Sequence, residues 1–174
     1  MMDLKSVIRN VPDFPKKGIG FKDITTLLKD GKAFRKAVDE LCAPYRGKAL
    51  DVVVGVESRG FIFGGAVAVE LGVGFVPVRK PGKLPAETVK EEYSLEYGVD
   101  AVEIHRDSIR KGMQVMVVDD LLATGGTAAA TVRLVESLGG VVVGVSFLIE
   151  LSFLGGRKKL GHVPIHALIE YPEA

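Results

Sequence analysis

The sequence predicts an α/β fold built on a mainly parallel sheet flanked by helices. Five short runs, Asp51–Val56, Gly74–Val78, Val115–Val118, Val141–Ile149 and Ile165–Ile169, are β-branched and apolar at consecutive positions. Such runs suit strands covered on both faces, the condition of a parallel sheet packed between helices. Segments of helical period alternate with them, and strand–helix–strand alternation marks that architecture. Glycine adds a third signal, with 21 of 174 residues against roughly 7% in an average chain. The glycines follow no triplet period and gather at the ends of apolar runs, where backbone turns tightly or approaches a neighbour closely.

Taken in order, residues 1–30 hold a short helical stretch and then the Pro- and Gly-rich PDFPKKGIGFKDITTLL, outside the alternation. Lys32–Tyr45 places Phe34, Ala37, Val38, Leu41 and Cys42 on one helical stripe. Arg59–Leu71 is apolar nearly all round and is expected to be a buried helix after the first strand. Thr127–Leu138 carries Thr131, Leu134, Val135 and Leu138 on one face, with Gly139 and Gly140 as a stop. Residues 79–112 are polar, charged and long for a plain connection, as functional lids are. Within them Glu91–Tyr97 and Val99–Ile104 alternate weakly, consistent with an antiparallel flap over about 80–106.

Composition narrows the function. The length suits one domain over 1–174. A net charge of +1 gives no basic face, so no nucleic-acid partner is expected. The single Cys42 excludes an intrachain disulfide framework and reads as a buried apolar thiol. The start, MMDLKSVIRN, has no apolar leader core, and no apolar run reaches the length of a membrane span. No membrane partner and a cytoplasmic location are therefore expected.

The most specific chemistry lies in VMVVDDLLATGGT, Val115–Thr127. An apolar strand is read as ending in Asp119 and Asp120, and a Gly-rich turn then opens a helix. Ala123, Thr124, Gly125, Gly126 and Thr127 can form a nest of backbone N–H groups at a helix N-terminus, with two hydroxyl donors. That is a phosphate cradle, and without a Lys after the glycines it is not a Walker A loop. Adjacent carboxylates on extended backbone point to opposite sides, so at least one is expected to face a ligand, where it can hold a ribose diol. In an open parallel sheet the ligand lies beyond the carboxyl ends of the strands.

This segment resembles the phosphoribosyl pyrophosphate motif of the type I phosphoribosyltransferases, and its LLATGGT form resembles the adenine branch of that family. FPKKGIGFKDIT, VVVGVESRGFIFG, VRKPGKLP, EEYSLEYG and ELSFLGGRKKL extend the likeness, in the family's order, over nearly the whole chain. The resemblance implies the type I fold, with a small hood mainly in 1–30 and a flexible flap. It implies transfer of a phosphoribosyl group to adenine with Mg²⁺ as cofactor, and a homodimer. Asp119 and Asp120 would hold the ribose hydroxyls, directly or through water on Mg²⁺, with no direct protein ligand to the metal expected because Mg²⁺ dehydrates reluctantly.

By the same resemblance, Glu57, Ser58, Arg59 and Gly60 form a pyrophosphate loop, and Arg79, Lys80 and Lys83 a basic cluster for the same group, with Arg79 reaching the neighbouring subunit's site. Glu96 is the candidate for proton transfer near purine N7, and Tyr97 closes the lid. Gly20, Phe21 and Lys22 would read adenine, largely through backbone groups, with Phe21 stacking on one face of the base and Leu151 packing on the other. Gly20 and Lys22 stand where members often carry Val and Arg. Two alternatives remain open here. One is another nucleobase, although 6-oxopurine enzymes often carry an acidic residue where Ala123 stands; the other is a non-catalytic sensor of the donor or of a purine. Gly125→Val is expected to remove donor affinity with the fold largely intact. His105, His162 and His166 have no metal-ligand spacing.

Overall fold

The structure is a computed structural model and describes residues 2–95 and 98–174. Five parallel strands form the central sheet: β3 (Val52–Val56), β4 (Gly74–Val78), β7 (Gln114–Leu122), β8 (Val141–Leu151) and β9 (Ile165–Tyr171), in the order β4-β3-β7-β8-β9. Every pairing within it is parallel. All five β3 residues are buried, as expected of a strand covered on both faces.

The pleat divides the core in two. Val52 and Val54 of β3 pack with α4 (Gly126–Ser137) on one side of the sheet. Val53 packs on the other side with α2 (Gly31–Cys42) and α3 (Gly60–Leu71). The α2 stripe read from the sequence is the buried one, with Ala37, Val38, Leu41 and Cys42 inside. Asp30 starts this helix, its carboxylate accepting from the backbone N–H groups of Lys32 and Ala33 at 2.9 and 3.2 Å.

Two departures from the sequence reading bear on function. First, α3 is not buried all round: Val69 is 82% exposed and Ile62 41%. Its Phe63, Gly64 and Val67 face the core, and one sheet face can cover only one side of a helix. Second, β7 does not end at its carboxylates. It continues through Asp119 and Asp120 because β8 runs on beside it, pairing Leu121 with Ile149 and Leu122 with Glu150. Backbone pairing to a longer neighbour outweighs the break in apolar character.

Two small antiparallel sheets flank the core. Near the amino terminus, β1 (Arg9–Val11) pairs with β2 (Phe21–Asp23), followed by the short α1 (Thr25–Leu28). Between β4 and β7, β5 (Thr88–Leu95) pairs with β6 (Gly98–His105), with Tyr93 directly opposite Asp100. The hairpin strands run longer than the sequence alternation indicated, and backbone bonds between Arg79 and Glu103 stitch the hairpin to the end of β4.

Asp23 pins the amino-terminal sheet. One carboxylate oxygen accepts from the N–H and hydroxyl of Thr25, at 2.9 and 2.7 Å, and the other from Arg9. The Thr25 bonds, with help from Arg9, hold the Asp23 carboxyl down to about 2. A group whose folded pKa is depressed contributes stability above its unfolded value, near 3.9, and loses it as pH falls through the folded value. Protection of the Arg9–Val11 amides is therefore expected to fall between about pH 4 and pH 2, and that dependence should vanish in Asp23→Asn. Equal profiles for the two proteins in pH-resolved hydrogen exchange would contradict this.

Candidate functional site

The carboxyl ends of β3, β4 and β7 open into a cavity of about 350 Å³, lined by Glu57, Ser58 and Arg59, by Arg79 and Lys80, and by Asp119, Asp120, Ala123 and Thr127, among others. A smaller recess of about 100 Å³ adjoins it, walled by the Ala123–Thr127 turn and by Tyr93. The two share Asp119, Leu121, Ala123 and Thr127, so they form one continuous site. The position agrees with the rule for open parallel sheets.

The recess is built by backbone. Gly125 precedes α4 with φ of +81°, a left-handed conformation that turns β7 into the helix. No side chain caps α4, so its first N–H groups face the recess with the positive end of the helix dipole. The Thr127 hydroxyl lies at the same place. These features suit a phosphate dianion.

The larger cavity is built by charge. Arg59 donates from Nε to Asp120 Oδ2 at 2.5 Å. Arg79 forks onto Glu57 through Nε and Nη2, at 3.2 and 3.1 Å, and the Lys80 backbone N–H joins it at 3.0 Å. The Arg79 bond is the main reason the Glu57 carboxyl lies below its ordinary range. Lys80 Nζ pairs with Asp100 and donates to Tyr93 at 3.1 Å. Each cation thus has a carboxylate of its own. Asp119 has no such cation among the described residues. Desolvation and the adjacent Asp120 charge push its carboxyl well above the usual range. The approach of α3 adds to this, for a side chain at Gly60 would come within 2.7 Å of Asp119 Oδ1.

Both carboxylates line the one cavity, which differs from the expectation of opposite sides. The cavity sits at the strand end rather than over one sheet face, so side chains of either orientation reach it. Asp119 Oδ1 also turns back to accept the Asp120 N–H at 2.8 Å.

Other expected residues lie apart. Lys83 is exposed and lines neither cavity, meeting Arg79 only through its backbone carbonyl. Arg79, by contrast, lines the larger cavity and pairs there with Glu57 of its own chain. Phe21 lies over Arg59, at 5.6 Å from ring to guanidinium, which brings the amino-terminal sheet beside the cavity. Lys22 turns away to Asn10 and to the ring of Tyr171, and Gly20 sits half-buried beside Asn10. Leu151 ends β8 and packs on the α2/α3 side of the core, outside both cavity linings. Glu96 and Tyr97 lie outside the described residues.

Sequence reading missed Tyr93, Asp100 and the pair Glu150–Arg157. The first two carry a signal, since a hairpin closing at Leu95 and Gly98 sets Tyr93 opposite Asp100. Glu150 is 3% exposed, and Arg157 grips it through two bonds of 2.7 and 2.6 Å. That grip holds the segment whose Gly156 backs the recess. Nothing local in the sequence announces it.

Gly156 also changes the expectation for Gly125. A side chain at Gly125 would meet the Gly156 carbonyl at 2.5 Å, besides the cost of positive φ. Gly125→Val should abolish binding of a phosphorylated ligand and lower stability by about 1–3 kcal/mol. Calorimetric binding and urea unfolding test both, and unchanged stability would show that the Gly156 segment yields freely.

The phosphoribosyl transferase domain family matches residues 25–159. An adenine phosphoribosyltransferase of Caldanaerobacter subterraneus subsp. tengcongensis is 59% identical over 169 residues, covering 97% of this chain and 98% of that one. The crystal structure of adenine phosphoribosyltransferase from Thermoanaerobacter pseudethanolicus superposes with a TM-score of 0.93 at 57% identity, covering 97% of this chain and 98% of that one. The Saccharomyces cerevisiae enzyme, solved with an iminoaltritol bisphosphate and adenine, gives 0.90 at 44% identity, covering 95% and 96%. With the charged cavity and phosphate recess at the sheet's carboxyl edge, these likenesses lead to one conclusion: the chain belongs to the adenine phosphoribosyltransferase family of type I phosphoribosyltransferases.

Proposed function

We propose that this protein transfers the 5-phosphoribosyl group of phosphoribosyl pyrophosphate to adenine, giving AMP and pyrophosphate, as a purine-salvage transferase. The observation that carries the reading is the juxtaposition of a phosphate recess with a cavity rich in paired cations, in a chain of this family. A donor with phosphate at one end and pyrophosphate at the other fits the two parts.

In this reading the Ala123–Thr127 turn and the start of α4 hold the 5′-phosphate. Asp119 and Asp120 accept from the ribose hydroxyls. The loop Glu57–Gly60, with Arg59, and the residues Arg79 and Lys80 receive the pyrophosphate. Lys83 adds only a peripheral charge. An adenine nitrogen attacks C1′ as the C1′–pyrophosphate bond breaks, and the nitrogen gives up its proton. Charge grows on the departing oxygen, where cations already held at the cavity lower the barrier. Glu96 accepts or relays the proton near purine N7, and Tyr97 closes the flap against water that would hydrolyse the donor. Phe21, Gly20 and Lys22 of the hood, the last through its backbone, and Leu151 frame the base.

Mg²⁺ fits this site as part of the substrate's shell. No cluster of three metal-binding side chains exists among the described residues, while Asp119 is a carboxylate without its own cation. Asp119 and Asp120 would hold the ion through its water, and when bound it supplies positive charge against the pyrophosphate oxygens. We also propose a homodimer in the cytoplasm. Support for the dimer is the apolar groove of Phe34, Val38, Ala66 and Val69 between α2 and α3, with Ile62 and Phe75 exposed nearby. A phosphorylated donor that does not cross membranes goes with the location.

Side-by-side assays with adenine, hypoxanthine, guanine and xanthine should show adenine as the preferred acceptor, with pyrophosphate released in equal amount. Preference for a 6-oxopurine would overturn the base assignment, and donor binding without pyrophosphate release would favour the sensor reading. Separately, Glu96→Gln should lower the turnover number by about 10²-fold or more while donor affinity changes little. An unchanged turnover number would leave Glu96 without a role in proton transfer.

A further inference from the structure

Lys80 is the cavity cation whose counter-ion comes from the flap hairpin. Arg59 and Arg79 pair with Asp120 and Glu57, which stand on the core strand β7 and on the loop after β3. Lys80 instead pairs with Asp100 of β6 and donates to Tyr93 of β5. Tyr93 in turn donates to Asp100 Oδ2 at 3.1 Å and lies 3.1 Å from the Thr127 hydroxyl. Its ring covers Gly126, the first residue of α4. One hydroxyl thus touches the cation of the pyrophosphate side, its counter-ion and the phosphate recess.

We propose that Asp100 is a positioning residue that competes with the donor's pyrophosphate for Lys80, with Tyr93 joining the exchange to the 5′-phosphate recess. This rests on the phosphoribosyl pyrophosphate reading above. The Lys80 ammonium lines the cavity, and its side chain is 43% exposed, so it can swing between Asp100 and a ligand oxygen. Burial disfavours its charge, but the bonds to Asp100 and Tyr93 outweigh that, so Lys80 stays charged. Asp100 has its own anchors, with Oδ1 accepting the Ala101 N–H at 2.8 Å and the Tyr93 hydroxyl beside it, so it remains in place when the ammonium leaves. Pyrophosphate binding then breaks an ion pair, and pyrophosphate release restores one. Asp100 thereby weakens product binding, while the Tyr93–Asp100 and Thr127–Tyr93 bonds keep the flap's base against the recess.

The competition predicts a gain of affinity on removing a charge. Asp100→Asn keeps the size and the acceptor oxygen toward Ala101 but loses the anion. Calorimetry with inorganic pyrophosphate at fixed Mg²⁺ should show binding about two- to fivefold tighter than wild type, the fold-change that corresponds to an ion pair of this exposure. The gain should disappear in the Lys80→Met background, where Asp100→Asn has no ammonium to release. Turnover of adenine by Asp100→Asn should show a lower donor KM, with kcat unchanged or reduced. A purely structural role would instead weaken binding, or leave it unchanged in a variant with wild-type melting temperature, and either result overturns the proposal. So does a gain of equal size in the Lys80→Met background. Failure of the wild-type protein to bind the donor or turn over adenine overturns the parent reading and this one with it.

Discussion

The site depends on one constraint: guanidinium and ammonium groups must stand at the edge of an apolar sheet, partly out of water. A charge in that position is costly unless it is paired. The protein meets the constraint by giving each cavity cation its own carboxylate: Asp120 for Arg59, Glu57 for Arg79 and Asp100 for Lys80. The pairs hold each cation at the cavity before any ligand arrives, close enough to exchange its carboxylate for an oxygen of a departing pyrophosphate. They also explain how a chain of net charge +1 can receive a polyanion. The positive charge is local, and its neutralisation is local as well.

The backbone around the pairs is arranged to the same end. Because β7 continues beside β8 to Leu122, Asp119 and Asp120 stand on a hydrogen-bonded strand rather than on a loop. The phosphate turn follows at once and is backed by Gly156, in a segment tied down by Arg157 on the buried Glu150. Removing Arg157 would leave the buried Glu150 carboxylate without its cation. Rigid elements therefore hold the phosphate end of the site, and the hairpin, which buries Val102 and Ile104 in the core, reaches it through Tyr93 and Lys80.

Much of this was legible in the chain. Consecutive Val runs, as in Val52–Val56, are enough to indicate strands buried on both faces, and DDLLATGGT places the phosphate turn. The reading failed where tertiary partners decide. The end of β7 is set by the length of β8, not by its own apolar content. The exposure of Val69 follows from which side of α3 the sheet covers. Lys22 was read for its backbone, and its side chain goes to Tyr171, more than a hundred residues away in sequence. Asp100 looked like one more charge in a polar insertion. Only the register that puts it opposite Tyr93, and the fold that brings Lys80 to both, give it a part in the site.

Pre-paired cations also bear on how such a site divides its binding energy. If the cations were bare, every phosphate oxygen would gain a full ion pair on binding, in substrate and product alike, and such uniform attraction does not raise kcat. Where each new contact replaces an existing carboxylate contact, the net gain in the ground state is small. In the transition state more negative charge sits on the bridging oxygen, and the same exchange becomes more favourable. The broken carboxylate pair costs the same in the bound donor and in the transition state, so the carboxylates lower affinity for donor and pyrophosphate without raising the barrier of the step between them. On the proposed reading, Glu57, Asp120 and Asp100 would favour turnover through product release, by keeping pyrophosphate from binding tightly, and their paired cations would do so by being available for exchange.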